Sequence, residues 1–258
     1  MRKIYPIYLL CSLLAIALCF VACHKQEPAL RKGPKKNDQC RVSSMRYSFP
    51  FDSVLVSFSY NKSGDPLRIT QTNTGTGRPD GFFLYNNKKQ LTDYIGLYND
   101  NTFEFWHRYV YDKNGRIVRD TVFYFGFIDN GEPDLYYDVA VVAFEYDQQE
   151  RISHTSQAWY NAPGFPLRTD YSYDARGNLV IPGVVYDDQP AIHRTSPVWM
   201  FIDRNYSVNN GYATGWNGNG LPTHMGLSSQ GGQFAGFYNG NLSNIEYLCS
   251  GDRKGIVD

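Results

Sequence analysis

Residues 109–117 of this chain read Tyr109-Val110-Tyr111-Asp112-Lys113-Asn114-Gly115-Arg116-Ile117. Two aromatic residues separated by one position lie on the same face of a strand. The Asp that follows can accept backbone N–H bonds at the start of a turn, and the Gly three residues later can take a positive φ. We interpret the stretch as a β-hairpin whose type I turn is followed by a left-handed glycine.

The same pattern recurs along the chain after residue 50. The copies are Tyr60-Asn61, Tyr85-Asn86, Tyr111-Asp112, Tyr146-Asp147, Tyr173-Asp174 and a degenerate Trp216-Asn217. A unit of about 26 residues holds two strands and two connections. We therefore predict an all-β fold, an antiparallel meander of about ten to twelve strands in a strongly twisted or curled sheet. The sequence does not decide whether this sheet closes. Lys89 and Glu150 replace the glycine, so we expect their two turns to differ in length or shape.

Composition agrees with a fold made of strands. Aromatic residues make up 16% of the chain and charged residues 19%, and flat side chains pack well on a pleated surface. After residue 40 no window repeats apolar residues with the helical period over three turns. The formal net charge is zero, so the chain lacks the electrostatic footprint of a nucleic-acid binder, and we expect no nucleic acid among its partners.

The N-terminus has the features of an export signal. Arg2 and Lys3 precede an apolar run over residues 7–22, which is shorter than the about 20 residues that a membrane-spanning helix needs. Phe20-Val21-Ala22-Cys23 resembles a bacterial lipobox, in which small residues precede a lipidated cysteine, although Phe stands where Leu is usual. We predict a signal peptide over residues 1–22 and lipidation of Cys23. Ordinary cleavage with a free thiol, or an uncleaved anchor, is the alternative.

The residues after the lipobox suggest a destination. In the lipoproteins that the lipobox resembles, an Asp directly after the lipidated cysteine is associated with retention at the inner membrane, and this chain has His24 there. We therefore expect an outer-membrane protein, and the sequence does not indicate which face of that membrane it occupies. Residues 23–42 are predicted to be the lipidated cysteine and a flexible basic tether, because they cannot bury enough apolar surface to offset the entropy of ordering. Binding to anionic headgroups is the alternative role of the basic residues. Residues 43–258 are predicted to form one β domain.

Two cysteines follow the lipid site, Cys40 and Cys249. An even remainder in an oxidising compartment suggests a disulfide that ties the first strand region to the last. Two unpaired thiols are the alternative.

Residues 109–117 and 171–179 resemble the YD repeat of RHS-type bacterial surface and toxin-shell proteins. With the lipobox and the basic tether, they make the chain similar to a family of small envelope lipoproteins of unassigned function, over roughly residues 45–250. The resemblance implies a scaffold of hairpins. Large RHS proteins wrap dozens of such hairpins around cargo, and six units are too few to enclose a protein, so a toxin-shell function is not implied.

The sequence lacks the usual catalytic signatures after the signal peptide. There is no G-x-S-x-G, H-E-x-x-H, P-loop or C-x-x-C motif, and we predict no catalytic residue, no metal ligand and no cofactor. His107 is expected to be a hydrogen-bonded histidine of the sheet, because Phe103, Phe105 and Tyr109 are expected to share its face.

Two insertions interrupt the repeat, at residues 126–134 and 182–210, and loops of this kind often carry sites. The first contains Asp129, Glu132 and Asp134, which are weak candidates for a cation site or for catalytic carboxylates, with a solvated loop as the alternative. The second contains Asp187 and Asp188, which could serve a glycosidase in the same way.

Aromatic residues near the connections are the stronger candidates for binding. They are Trp159, Tyr160, Trp199, Tyr206, Tyr212 and Trp216. Aromatic faces beside amide side chains suit sugar rings or a protein partner, and capping of the core is the alternative. We therefore expect a non-catalytic, lipid-anchored envelope protein that binds a glycan or an envelope protein or has a structural role. A carboxylate-dependent polysaccharide hydrolase is the alternative.

Overall fold

The structure, a computed structural model, describes residues 40–48, 53–226 and 233–250. These residues belong to one compact unit, Pro34–Asp258. The predicted signal peptide and the lipid site Cys23 lie outside the described residues, and so does the tether apart from residues 40–42, which already belong to the first strand. In the described part of the chain, no helix has the length and apolar character needed to cross a membrane.

The fold is all-β, as predicted, and fourteen strands form one sheet. The strands are β1 Cys40–Ser48, β2 Ser53–Tyr60, β3 Pro66–Gln71, β4 Asp80–Tyr85, β5 Leu91–Leu97, β6 Thr102–Tyr111, β7 Ile117–Asp129, β8 Glu132–Asp134, β9 Asp138–Tyr146, β10 Ile152–Trp159, β11 Ala162–Asp170, β12 Ala213–Trp216, β13 Pro222–Gly226 and β14 Asn241–Cys249. Between β11 and β12 lie a 3-10 turn, Ile192–Thr195, and helix α1, Pro197–Ile202.

The strands follow a meander that is extended at its first strand. Their order is β11-β10-β9-β7-β6-β5-β4-β3-β2-β1-β14-β13-β12, with β8 paired to β7, and all pairs are antiparallel. Strands β11 and β12 stand at opposite ends of this order, so the sheet curls without closing. The number of strands exceeds the prediction because β1, β8 and β14 lie outside the six repeats.

The six turns share one geometry. In each, the Asn or Asp side chain accepts a bond from the backbone N–H four residues ahead, at Asn61, Asn86, Asp112, Asp147, Asp174 and Asn217. The residue three positions ahead has a positive φ, from 61° at Glu150 to 90° at Gly64. The expectation that the turns of Lys89 and Glu150 would differ is wrong, because the same amide bonds hold these two residues in the left-handed region.

Tyrosine hydroxyls link successive hairpins. The bonds run from Tyr60 to the carbonyl of Val42 (2.7 Å), Tyr85 to Pro66 (2.8 Å), Tyr111 to Leu91 (2.9 Å), Tyr146 to Ile117 (2.6 Å), Tyr173 to Ile152 (3.1 Å) and Tyr247 to Pro222 (2.7 Å). Arg116 and Arg151 lie over the rings of Tyr146 and Tyr173, at 5.3 and 3.8 Å from their centroids. The repeat is therefore a structural device that joins each hairpin to its predecessor.

The two faces of the sheet carry two cores of unequal size. One cross-strand row faces the main core and consists of Phe83, Tyr94, His107, Val122 and Ala140. Trp199 and Phe234 pack on this face from the segments after β11. The adjacent row faces a smaller core and includes Ile95 and Trp106. Phe103 packs in this smaller core and does not share the face of His107 as expected, because the β5–β6 register shifts between Gly96 and Leu97.

A disulfide joins the first and last strands of the described chain. Cys40 and Cys249 are directly opposite each other in the β1–β14 register, and their sulfurs are bonded across a sequence separation of 209. This link fixes the position at which the meander is extended by β14, β13 and β12.

Candidate functional site

A cleft of about 770 Å³ opens on the main-core face of the sheet. Its floor comes from β5, β6, β7 and β9, and its walls come from residues in the ranges 179–182, 201–204 and 233–239. Its aromatic lining includes Tyr94, Phe105, Tyr109, Tyr124, Phe144 and Phe237. The volume is in the range of small-molecule sites, roughly 300–1,000 Å³, and an apolar lining with a few polar groups is typical of them.

A histidine and an aspartate meet on the floor of this cleft. The β6–β7 register pairs His107 with Val122 and Tyr109 with Asp120, so His107 and Asp120 are diagonal neighbours across the two strands. His107 Nδ1 lies 2.7 Å from Asp120 Oδ2. Because a carboxylate only accepts, Nδ1 is the donor, and Nε2 is the nitrogen that can meet a ligand. The ring of Tyr94 stacks on the imidazole at 5.8 Å.

Asp120 has one oxygen without a donor. Its side chain is 4% exposed, and among the described residues Oδ1 has no hydrogen-bond partner. Leaving a buried acceptor unsatisfied costs about 1–3 kcal/mol, and more when the group is charged. Asp120 lines the cleft, but its Oδ1 atom is itself closed off from solvent. A hydroxyl or amide of a bound molecule can supply the missing donor once the carboxylate turns toward the cleft.

Arg204 brings a positive charge to the opposite wall. It follows helix α1 with a φ of 51°, and its guanidinium carbon lies 5.7 Å from the centroid of the Phe144 ring. In the described part of the chain, no carboxylate forms an ion pair with it, although Asp203 is its neighbour in sequence. The guanidinium thus has an aromatic contact and no anionic partner there.

The charges of Asp120 and Arg204 act on the same two tyrosines. Burial raises the pKa of Tyr124, the Asp120 carboxylate raises it further, and Arg204 opposes both effects. The pKa of Tyr109 is raised by burial and by Asp120, and Arg204 again opposes the increase. Both charges therefore influence the same two hydroxyl groups, and both residues line the cleft.

The other carboxylates of the cleft have structural partners. Asp203 accepts bonds from the backbone N–H groups of Ala235 and Gly236, at 2.9 and 2.6 Å, and pairs with His193 at 3.2 Å. These bonds fix the wall that contains residues 233–239. Asp170 pairs with His154 at 2.8 Å.

Glu104 is also engaged, at the rim of the cleft. Its carboxylate accepts a bond of 2.9 Å from the Gly77 backbone N–H and a second bond from the Tyr98 hydroxyl. Burial and the contact with Glu104 together raise the pKa of Tyr98 to about 12, although backbone bonds from Gly77 and Arg78 oppose the rise. The bonds of Glu104 connect β6 to the loop before β4.

The carboxylates predicted from the first insertion lie elsewhere. Asp129, Glu132 and Asp134 belong to the β7–β8 hairpin, and none of them lines the cleft. Glu132 accepts a bond of 2.6 Å from Arg108 Nη1. Among the described residues, no group of three or more His, Cys, Asp or Glu side chains is placed to hold a metal ion.

The carboxylates of the second insertion organise its own loop. Asp187 Oδ1 accepts backbone N–H bonds from Gln189 and Asn210, at 2.9 and 3.1 Å. Asp188 pairs with Arg176 at 2.7 Å. Neither carboxylate lines the cleft. This insertion contributes to the cleft through other residues, Pro182 and the segment 201–204.

The aromatic binding candidates are dispersed, and none of the six lines the cleft. Trp199 is 0% exposed and is a core residue, in edge-to-face contact with Phe58 and Phe83 at 5.8 and 5.5 Å. Tyr206 and Tyr212 are half-buried and pack against the main core. These three residues correspond to the core-capping alternative.

The remaining three candidates reach the surface to different degrees. Trp159 stacks on Tyr124 at 5.3 Å and supports one side of the cleft. Tyr160 is 80% exposed beyond the end of β10. Trp216 donates from Nε1 to Asp187 Oδ2 at 3.1 Å. Of these three, Trp159 contacts a residue of the cleft lining.

Sequence reasoning did not select Asp120 or Arg204. Asp120 did carry a signal, since it is a charged residue within the strand-like run 117–125, which is otherwise rich in apolar residues on both faces. Arg204 carried none, because its place in the cleft depends on how the segment after β11 crosses the sheet.

Neither a protein-family model nor a curated protein sequence matches this chain. Among solved structures, it is similar to the crystal structure of TcdB2-TccC3-Cdc42, with 12% identity, 76% of this chain covered and a TM-score of 0.26. It is also similar to TcdB2-TccC3 without the hypervariable C-terminal region, with 14% identity, 70% covered and a TM-score of 0.25. The chain spans 12% and 11% of those two chains. At these TM-scores the likeness carries no argument about function.

Proposed function

We propose that this chain is a non-catalytic lipoprotein of the bacterial outer membrane whose β domain binds a glycan in the aromatic cleft. The observation that carries the proposal is the combination of aromatic rings with a buried, incompletely bonded carboxylate in one concave site. Sugars present apolar C–H faces to aromatic rings and hydroxyl groups to polar acceptors. A cleft of about 770 Å³ suits one or a few sugar units better than a flat protein surface.

The polar groups of the cleft support binding by hydroxyl recognition. Asp120 Oδ1 can accept from one hydroxyl, and His107 Nε2 can accept from another when the ring is neutral. Tyr94 and Tyr109 stack on the imidazole at 5.8 and 6.1 Å, so its orientation is fixed before a ligand arrives. Fixed polar groups reduce the entropy cost of binding.

The anchor rests on the lipobox-like residues 20–23 and the basic segment that follows them. A single lipid chain gives marginal membrane affinity, so stable attachment needs further acylation or a basic patch. Mass spectrometry of the mature protein tests this part separately. We expect an N-terminal Cys23 that carries lipid, and an unmodified Cys23 would remove the anchor from the proposal.

Polysaccharide hydrolysis is the second function considered, and the site favours binding over it. A glycosidase needs two carboxyl groups that flank the scissile bond. Asp203 and Asp170 are held by histidines, and Asp203 by two backbone amides as well. The carboxylates of Asp129, Glu132 and Asp134 do not line the cleft. A binding role requires no second free carboxyl group.

Isothermal titration of the mature protein in detergent, against a panel of neutral and acidic oligosaccharides, tests the proposed function. Tyr124→Ala removes a ring of the cleft lining and should weaken binding roughly tenfold, as expected for the loss of one aromatic contact of about 1–1.5 kcal/mol. Tyr160→Ala removes an exposed ring outside the cleft and should leave the affinity unchanged. Loss of binding in Tyr160→Ala with none in Tyr124→Ala would place the ligand elsewhere. Sugar release by the unmodified protein would favour the hydrolase.

A further inference from the structure

We infer that the glycan bound in the cleft is acidic, with a carboxylate that pairs with Arg204 and a neighbouring hydroxyl that donates to Asp120. This inference rests on the proposed function and narrows it to one class of sugar. It comes from two side chains of opposite charge, Arg204 and Asp120, that line the same cleft and do not form an ion pair with each other.

Arg204 offers the geometry that a carboxylate requires. The guanidinium is a planar fork of donors that binds a carboxylate through two parallel hydrogen bonds. In the described residues no carboxylate occupies this fork, and the ring of Phe144 supports the guanidinium at 5.7 Å. Because the cleft is partly lined by aromatic rings, an ion pair formed there is screened less than one on the open surface.

Asp120 explains why the anion must also carry a hydroxyl. A carboxylate ligand placed beside Asp120 would be repelled by its charge, so the anionic end of the ligand belongs at Arg204. The unsatisfied Oδ1 then requires a donor from the same ligand. A uronic acid has both groups on one ring, a carboxylate at C6 and hydroxyls at neighbouring carbons.

The aromatic lining completes the recognition of a ring. Tyr109 and Tyr124 line the same cleft as Arg204 and Asp120, and both charges act on their hydroxyl groups. Phe237 also lines the cleft, in the wall that Asp203 holds in place through Ala235 and Gly236. A pyranose ring between these faces would have its apolar sides covered and its polar rim directed at the two charges.

The test compares each acidic oligosaccharide with its own methyl ester, which keeps the sugar and removes the charge. Oligomers of galacturonate, glucuronate and mannuronate are titrated into the mature protein in detergent. We expect at least one acid to bind tenfold or more tightly than its ester. We also expect added salt to weaken the binding of the acid and to leave the binding of the ester unchanged. Equal binding of acid and ester would overturn the inference while the proposed function stands, and no binding by any oligosaccharide would overturn both.

Variants identify the residues responsible. Arg204→Gln should bind acid and ester equally, and Arg204→Lys should keep only part of the preference, because a point charge replaces the planar fork. Arg194→Gln is the matched control, since Arg194 lies in the preceding 3-10 turn and does not line the cleft. Asp120→Asn should weaken acid and ester alike. A preference for the acid that survives Arg204→Gln, in a variant whose circular dichroism is unchanged, would overturn the assignment of Arg204.

Discussion

Replacing Glu150 by Gly is expected to stabilise the domain, although it removes a side chain that forms an ion pair. Glu150 has a φ of 61°, and a left-handed conformation costs an L-residue roughly 1–2 kcal/mol. Glycine removes this cost but adds roughly 0.4–1 kcal/mol of chain entropy to the unfolded state. The ion pair with Arg116 is long, at 3.7 Å, and the Glu150 side chain is 68% exposed, so it contributes little. The expected net gain is about 0.5–1 kcal/mol.

Two further variants separate the backbone from the side chain. Glu150→Gln removes the charge and keeps the positive φ, so it should not stabilise. Gly115→Ala makes the opposite change in the neighbouring turn, where φ is 82° and an added Cβ meets no atom within 4 Å. The cost there arises from the backbone alone, and the variant should lose about 0.5–1 kcal/mol.

Urea unfolding followed by circular dichroism measures the stability of all three variants. A change in stability shifts the urea concentration at the midpoint and leaves the slope of the free energy against urea concentration unchanged. In thermal melts, 1 kcal/mol corresponds to about 2–4 °C for a domain of this size. If Glu150→Gly is less stable than the unmodified protein while Gly115→Ala is unchanged, the shared turn geometry is refuted. A gain in Glu150→Gln equal to that in Glu150→Gly would assign the effect to charge.

Three other perturbations test the scaffold. Tyr146→Phe removes the bond to the Ile117 carbonyl and should lower the free energy of unfolding by about 1 kcal/mol; an unchanged urea midpoint would mean that this tyrosine does not link the hairpins. Partial burial raises the pKa of Asp147. Hydrogen bonds from the backbone N–H and guanidinium of Arg151, and from a second backbone N–H, lower the pKa by more than burial raises it, so the pKa in the folded state lies below that in the unfolded state. The stabilisation by the Asp147 carboxylate is therefore present above about pH 4 and is lost as the pH falls through the pKa of the folded state. In urea titrations, the difference in stability between Asp147→Asn and the unmodified protein should shrink from pH 7 to pH 3. A difference that stays constant would refute this role of the carboxylate. Reducing the disulfide should destabilise the protein by at most about 5 kcal/mol for so long a loop, and a melting temperature indifferent to reductant would show that the bond is not formed.

The hairpins were predictable because their determinants are local. An Asn or Asp and a residue with positive φ lie within four positions of each other, so the turn can be recognised from a short stretch. The turn at Glu150 was misjudged because the intrinsic preference of one residue was weighed without the bonds that Asp147 makes to the backbone N–H groups of Gln149 and Arg151. In this case the amide bonds outweigh the backbone preference.

The site was not predictable to the same degree, because its residues come together only through the register of paired strands and through a later segment that crosses the sheet. His107 and Asp120 become neighbours only when β6 and β7 are aligned, and a shift of one residue would move each to the other face. Arg204 reaches Phe144 because the segment after β11 packs across the main-core face. Such contacts between distant residues leave no periodic signal in a single sequence.

The structure of the protein bound to an acidic oligosaccharide tests the central claim most directly. We expect a sugar ring in the cleft beside Tyr109 and Tyr124, with its carboxylate on Arg204. A hydroxyl of the sugar should lie within hydrogen-bond distance of Asp120 Oδ1, at about 2.5–3.0 Å. A sugar bound outside the cleft, such as one stacked on Trp216, would show that the cleft is not the glycan site.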